Sequence, residues 1–161
     1  MLHLKMLAAV VGLGGAAVGA VPLAAPAQAA TPLCSSSQLL ITLERSEGAA
    51  GTHYDTWRMT NVGSTCRTQG WVGAQNYGAD GRPLETHVRR VNGPSTRVTL
   101  RHGQHASWVF SYTNPGIIGC RAEKAVSMII TPPDNTVPDL VRPGEPACHG
   151  RVNAWPVRFG G

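Results

Sequence analysis

Four cysteines, Cys34, Cys66, Cys120 and Cys148, carry the most sharply defined chemistry in this 161-residue chain. Thiols this widely spaced oxidise in pairs in an oxidising compartment, whereas a thiolate metal site would need a Cys-x-x-Cys element, and none occurs. Of the three pairings that four cysteines allow, we favour Cys34 with Cys66 and Cys120 with Cys148. Each closes a loop of about 30 residues and would restrain the unfolded chain by roughly 3 to 4 kcal/mol. The first ties an N-terminal strand to the turn after the second strand, and the second clips a Pro-rich loop ahead of the last strand. Connectivity stays open at this level, because spacing alone does not fix it.

Arginine supplies the next chemistry. The densest basic stretch holds Arg82, Arg89, Arg90, Arg97 and Arg101, with His87 and His102 among them. If residues 86–91 and 97–100 pair as a hairpin through Asn92-Gly93-Pro94, Arg89 shares a face with some of these cations and Arg90 points to the other. Such a strip would bind teichoic acids, anionic phospholipid headgroups or an acidic protein, and salt would weaken it steeply. The competing reading is a solvated face of edge-strand charges that block aggregation. Four tryptophans beside only two phenylalanines raise a glycan alternative. Trp57 and Trp108 lie in apolar alternation and are expected in the core, which leaves Trp71 and Trp155 as the more exposed pair.

Other constellations carry less. His102 and His105 are three apart, with His87 and His149 elsewhere, but residues three apart on a strand point to opposite faces. No metal and no cofactor is expected. Gly-x-Ser-x-Gly is absent, and nine scattered carboxylates offer no spacing that would select an acid pair. No catalytic residue is assigned.

The elements that must position these residues are strands. Leu39, Ile41 and Leu43 alternate with Leu40, Thr42 and Glu44, and Asp55, Trp57, Met59 and Asn61 alternate with Tyr54, Thr56, Arg58 and Thr60. Further strands are expected in 66–77, broken at Gly70 or Gly73, and at 86–91, 97–100, 104–112, 125–131, 139–141 and 151–159. Turn chemistry separates them, as at Val62-Gly63-Ser64, Ala79-Asp80-Gly81, His102-Gly103, Asn114-Pro115-Gly116 and Arg142-Pro143-Gly144. Short strands with turns every ten or so residues predict an all-β fold, an immunoglobulin-like antiparallel β-sandwich with two disulfides, with a small barrel as the runner-up. The Pro-rich segment 131–146 is expected to be a structured crossing loop.

The N-terminal segment reads as an export signal. Lys5 supplies the positive end, residues 6–21 are apolar, and Ala27-Gln28-Ala29 offers a cleavage site, so residues 1–29 are expected to be removed and 30–161 to form one domain. Removing Lys5 leaves 13 basic against 9 acidic residues, a net charge of about +4, with Lys124 the only lysine. That modest excess, with no interleaving of basic and stacking aromatic residues, speaks against nucleic acid. No membrane span is expected in the mature chain, and a monomer is.

Several runs together are distinctive: Thr60-Asn61-Val62-Gly63-Ser64-Thr65-Cys66, Gly70-Trp71-Val72-Gly73, Asp80-Gly81-Arg82-Pro83-Leu84, Val98-Thr99-Leu100 with Gly103, then Cys120, Thr131-Pro132-Pro133 and Cys148. In this order the chain resembles the actinobacterial domain-of-unknown-function family numbered 4232, over nearly all of the mature length. The resemblance implies a secreted β-sandwich with paired cysteines and brings no catalytic or ligand residues. Val72 stands where the family often has proline, and His102 replaces the proline of a Pro-Gly turn.

The resulting expectation is a secreted, monomeric, non-catalytic binding or structural module at the bacterial cell envelope or in the medium. Arg89, Arg97 and Arg101 are the contacts for an anionic envelope polymer or acidic protein, and Trp71 is the contact for a glycan. The alternatives are a secreted enzyme, hydrolytic or metal-dependent, and a secreted protease inhibitor presenting residues 79–84 or 131–146.

Overall fold

The computed structural model describes residues 29–114, 116, 119–120, 124–141 and 148–160, with the backbone alone at Leu140 and Cys148. The export signal, apart from Ala29, and the turn at 142–144 lie outside the described residues. Eleven strands are described: β1 Leu39–Ala49, β2 Thr52–Asn61, β3 Cys66–Thr68, β4 Gly73–Tyr77, β5 His87–Arg90, β6 Val98–Leu100, β7 His105–Thr113, β8 Ser127–Thr131, β9 Asp139–Val141, β10 Arg151–Ala154 and β11 Arg158–Phe159. The expected strand segments are represented, with 151–159 divided into β10 and β11 around residues 155–157, and the fold is all-β.

The strands form three sheets. The largest runs β1-β2-β7-β10-β5, with β11 also on β7; β3 pairs β6, and β4-β8-β9 make the third. One contiguous core draws on all three, with Trp57, Trp108 and Val152 from the large sheet, Leu100 from β6, and Met128 and Ile130 from β8. Trp57 sits opposite Trp108 in the β2–β7 register, and their rings stack at 6.3 Å with an interplanar angle of 15°. Phe110 meets Trp108 edge-on at 5.9 Å. Rings of this size bury roughly 150 to 250 Å² each and dominate the packing.

One pairing departs from the antiparallel arrangement expected. The described strands divide among three sheets, and β5 pairs β10 in parallel. The hairpin proposed between residues 86–91 and 97–100 does not form. Beyond β5 the Val91 amide donates to the Ala154 carbonyl, continuing along β10, and β6 joins β3 in a different sheet. Asn92-Gly93-Pro94 therefore carries a crossing between sheets. A two-residue hairpin would have needed the two strands side by side.

Cys34–Cys66 is formed, with a Cα–Cα distance of 4.8 Å, and it ties the N-terminal segment to β3 as expected. It is the one disulfide seen among the described residues. Cys120 is not a free thiol, and the expected partner Cys148 falls on a side chain outside the described ones. Asn135 ties the described part of the crossing segment to the N-terminal segment. Asn135 accepts from the Ser36 amide at 2.9 Å and donates to the Cys34 carbonyl at 2.8 Å.

Buried Asn61 explains the Thr60–Cys66 motif. Its Nδ2 donates to the carbonyls of Ser64 and Leu100, both at 2.9 Å, and its Oδ1 accepts from the Gly63 amide at 2.9 Å. One side chain thus closes the turn and holds β6 to it, satisfying polar groups that burial would otherwise penalise.

Candidate functional site

The parallel β5–β10 pair builds a basic face. Its register sets His87 opposite Arg151 and Arg89 opposite Asn153, so these four share one side of the sheet, while Val152 is buried on the other. Gly150 makes the close approach possible. It has φ +64°, and a Cβ there would run into the Glu85 carbonyl, so β10 can start beside β5 only with glycine at this point. Arg90 faces the opposite way and lies 5.8 Å over the centroid of the Trp71 ring.

A series of shallow grooves leads away from this edge, each sharing residues with the next. The first, of about 400 Å³, is lined by His87, Arg89, Thr113, Arg151 and Asn153. Arg89 and Asn153 also line the second, with Arg90, Asn92 and Trp155. Trp155 is then one wall of an apolar groove of about 360 Å³ made with Tyr54, Val109, Pro156 and Arg158. Arg158 passes into a fourth groove with Pro94, Arg97, Thr99 and Phe159. Arg151, Arg89, Arg158 and Arg97 are thereby strung along one track, with Arg90 at the margin of the second groove and its guanidinium turned onto Trp71.

Among the described residues none of these five arginines has a carboxylate within 4 Å. The ion pairs present there join Arg45 to Glu47, Arg58 to Glu44, Arg82 to Asp80 and His87 to Glu85. The hydrogen bond from His87, at 2.8 Å, holds the Glu85 carboxyl below its ordinary range, helped by the nearby charges of His149 and Arg151. The Arg58 hydrogen bond does the same for Glu44. Arg90 rests on Trp71, and the guanidinium groups of the other four, outside any such pair, keep their donors for an external anion.

The residues singled out from the sequence separate. Arg89 and Arg97 lie on the track, in its first two grooves and in its last. Arg101 is exposed in the turn before β7, where its amide donates to the Gln104 side chain at 2.9 Å, and it lines none of these grooves. Trp71 is partly buried against the core, and its indole donates to the Val91 carbonyl at 3.1 Å. It packs against the core with the Arg90 guanidinium over its ring. Of the two tryptophans expected to be exposed, Trp155 lines the second and third of these grooves. Tyr54, Arg151 and Arg158 are the further residues that sequence reasoning missed, because the strands that assemble them are far apart in the chain. His102 Nδ1 lies 3.3 Å from the Gly63 carbonyl. Among the described residues no three His, Cys, Asp or Glu converge, and no helix is long and apolar enough to cross a membrane.

The model of a family described as a domain of unknown function, DUF4232, matches residues 34–158. The chain belongs to the DUF4232 family. No curated protein and no solved structure matches it. The DUF4232 motifs identified above map onto turns and core. Val72, in place of the frequent proline, is buried, Gly70 and Gly103 hold positive φ, and Val98 and Leu100 face inward. Of those motifs only Val98 and Thr99, at the edge of β6, touch the basic track. In this DUF4232 domain the scaffold and the candidate surface are therefore written in different residues.

Proposed function

We propose that this DUF4232 domain is a secreted, monomeric, non-catalytic binding module that takes an anionic envelope polymer along the track from Arg151 to Arg97. The observation that carries the reading is the four arginines Arg151, Arg89, Arg158 and Arg97, strung along linked grooves with no ion pair within 4 Å among the described residues. Two short ladders cannot bury a core alone, so we read the two small sheets as the second leaf of an immunoglobulin-like sandwich over the large one. The core shared by all three supports that reading. With Cys34 joined to Cys66, Cys148 is the cysteine that remains for Cys120, and that bond would complete two disulfides. Export fits a disulfide-bearing chain whose first 29 residues have the pattern of a cleaved signal.

Long-range attraction between an open basic surface and a polyanion is screened over about 10 Å at 0.1 M salt. The test is retention of the exported protein on immobilised inorganic polyphosphate during a salt gradient. Wild-type protein is expected to elute late, and the triple variant Arg89→Gln, Arg97→Gln, Arg151→Gln early. Equal elution of the two, with both folded by circular dichroism, overturns the assignment.

A further inference from the structure

Trp155 stands at the junction of two chemically different grooves. On one side are Arg89, Arg90, Asn92 and Asn153; on the other, Tyr54, Val109 and Pro156, with Ser107 and Arg158 at the margin. Tyr54 and Trp155 meet at 6.3 Å between ring centroids with planes tilted by 51°. They are already in contact and too inclined to hold a flat base between them. Together they instead form an aromatic wall open to one side. Tyr54 is 37% exposed, so part of its ring is available to a ligand.

We infer that the polymer is an acidic polysaccharide, one of whose rings packs on Trp155 and Tyr54 while its carboxylate reaches Arg89. This rests on the anion-binding reading above and names its ligand. A puckered sugar ring offers C–H groups to an aromatic face and hydroxyls to amide and hydroxyl side chains, which Asn92, Asn153 and Ser107 provide. Arginine matches a carboxylate with two parallel hydrogen bonds. An acidic peptide fits less well. Tyr54, Ser107, Val109 and Asn153 belong to β2, β7 and β10, whose backbone groups are engaged in the sheet ladder, so an extended peptide main chain finds no backbone partners across this face.

The experiment measures binding of oligogalacturonate to the exported protein by calorimetry. Polyphosphate supplies charge without sugar, dextran oligosaccharide sugar without charge, polyglutamate an acidic peptide, and oligothymidylate an aromatic polyanion. Trp155→Ala and the milder Tyr54→Ala are compared with wild type, each checked for folding by its thermal transition. Oligogalacturonate is expected to bind more tightly than dextran and to lose about tenfold in affinity in either variant, the size of one aromatic contact, with polyphosphate unaffected. If polyphosphate binds through the arginines while oligogalacturonate is indifferent to both substitutions, the saccharide inference fails and the anion-binding reading stands. If neither polyanion binds, both fall. Tighter, Trp155-dependent binding of polyglutamate or oligothymidylate overturns the inference in favour of a peptide or a nucleic acid.

Discussion

Arg89 faces Asn153 across a parallel pair of strands that are more than 60 residues apart in the chain. That single register decides which cations share a surface. It turns Arg89 toward Arg151 and Trp155, and it places Arg90 over Trp71 on the opposite side.

The glycine that allows this register should be intolerant. Gly150→Ala introduces a Cβ into the Glu85 backbone at a left-handed φ, so both sterics and conformation oppose it. A loss of about 2 kcal/mol or more is expected in urea unfolding, as for other incompatible backbone substitutions. Gly81, also left-handed but with nothing within 4 Å of the added atom, should cost less as Gly81→Ala. Equal losses at the two sites would show that the approach to Glu85 does not matter.

Removing the Cys34–Cys66 bond as the Cys34→Ser, Cys66→Ser double variant should lower unfolding free energy by roughly 3 to 4 kcal/mol. The two cysteines are 32 residues apart, and the bond restrains the unfolded chain over that loop. Denaturant titration with and without reductant reads the effect. A variant as stable as the oxidised protein would show that the hydrogen bonds from Cys34 and Arg67 across the same junction already hold it.

Trp108 is 2% exposed and touches both Trp57 and Phe110. Trp108→Ala should cost about 3 to 5 kcal/mol, and Trp108→Phe, which keeps a ring in the stack, distinctly less. Thermal unfolding followed by near-ultraviolet circular dichroism gives both values. A small, equal cost for the two would mean that the site collapses around the lost ring.

Asp139, at the start of β9, has its carboxyl pushed above the ordinary 3.8 by burial. A folded-state value above the unfolded one means that folding favours the protonated acid. This contribution is present below the unfolded value and is lost as pH rises through the folded one. Asp139→Asn should therefore raise the melting temperature near neutral pH and change it little near pH 3. Glu85 and Glu44 act in the other direction, since their lowered values favour the charged form, and that support disappears as pH falls below about 4.5. An Asp139→Asn melting curve that shifts equally at both pH values would refute the burial account.

The sequence by itself determined the strands and local turns such as those at Gly63, Gly81 and Gly103, and it favoured the Cys34–Cys66 tie without fixing it. Alternation along β2 and β7, turn glycines such as Gly81 and Gly103, and the Asn61 turn all depend on residues a few positions apart, so their physics is legible locally. Tertiary structure alone decided that β5 would lie parallel to β10, that β6 would leave for another sheet, and that Trp155 would line grooves while Trp71 packed against the core. Strand pairing depends on which distant edges are free and how closely two backbones can approach, here at Gly150 and Glu85. Period-2 patterning gives a strand its two faces without naming its neighbour, and a surface assembled from β2, β5, β7 and β10 exists only once those neighbours are chosen.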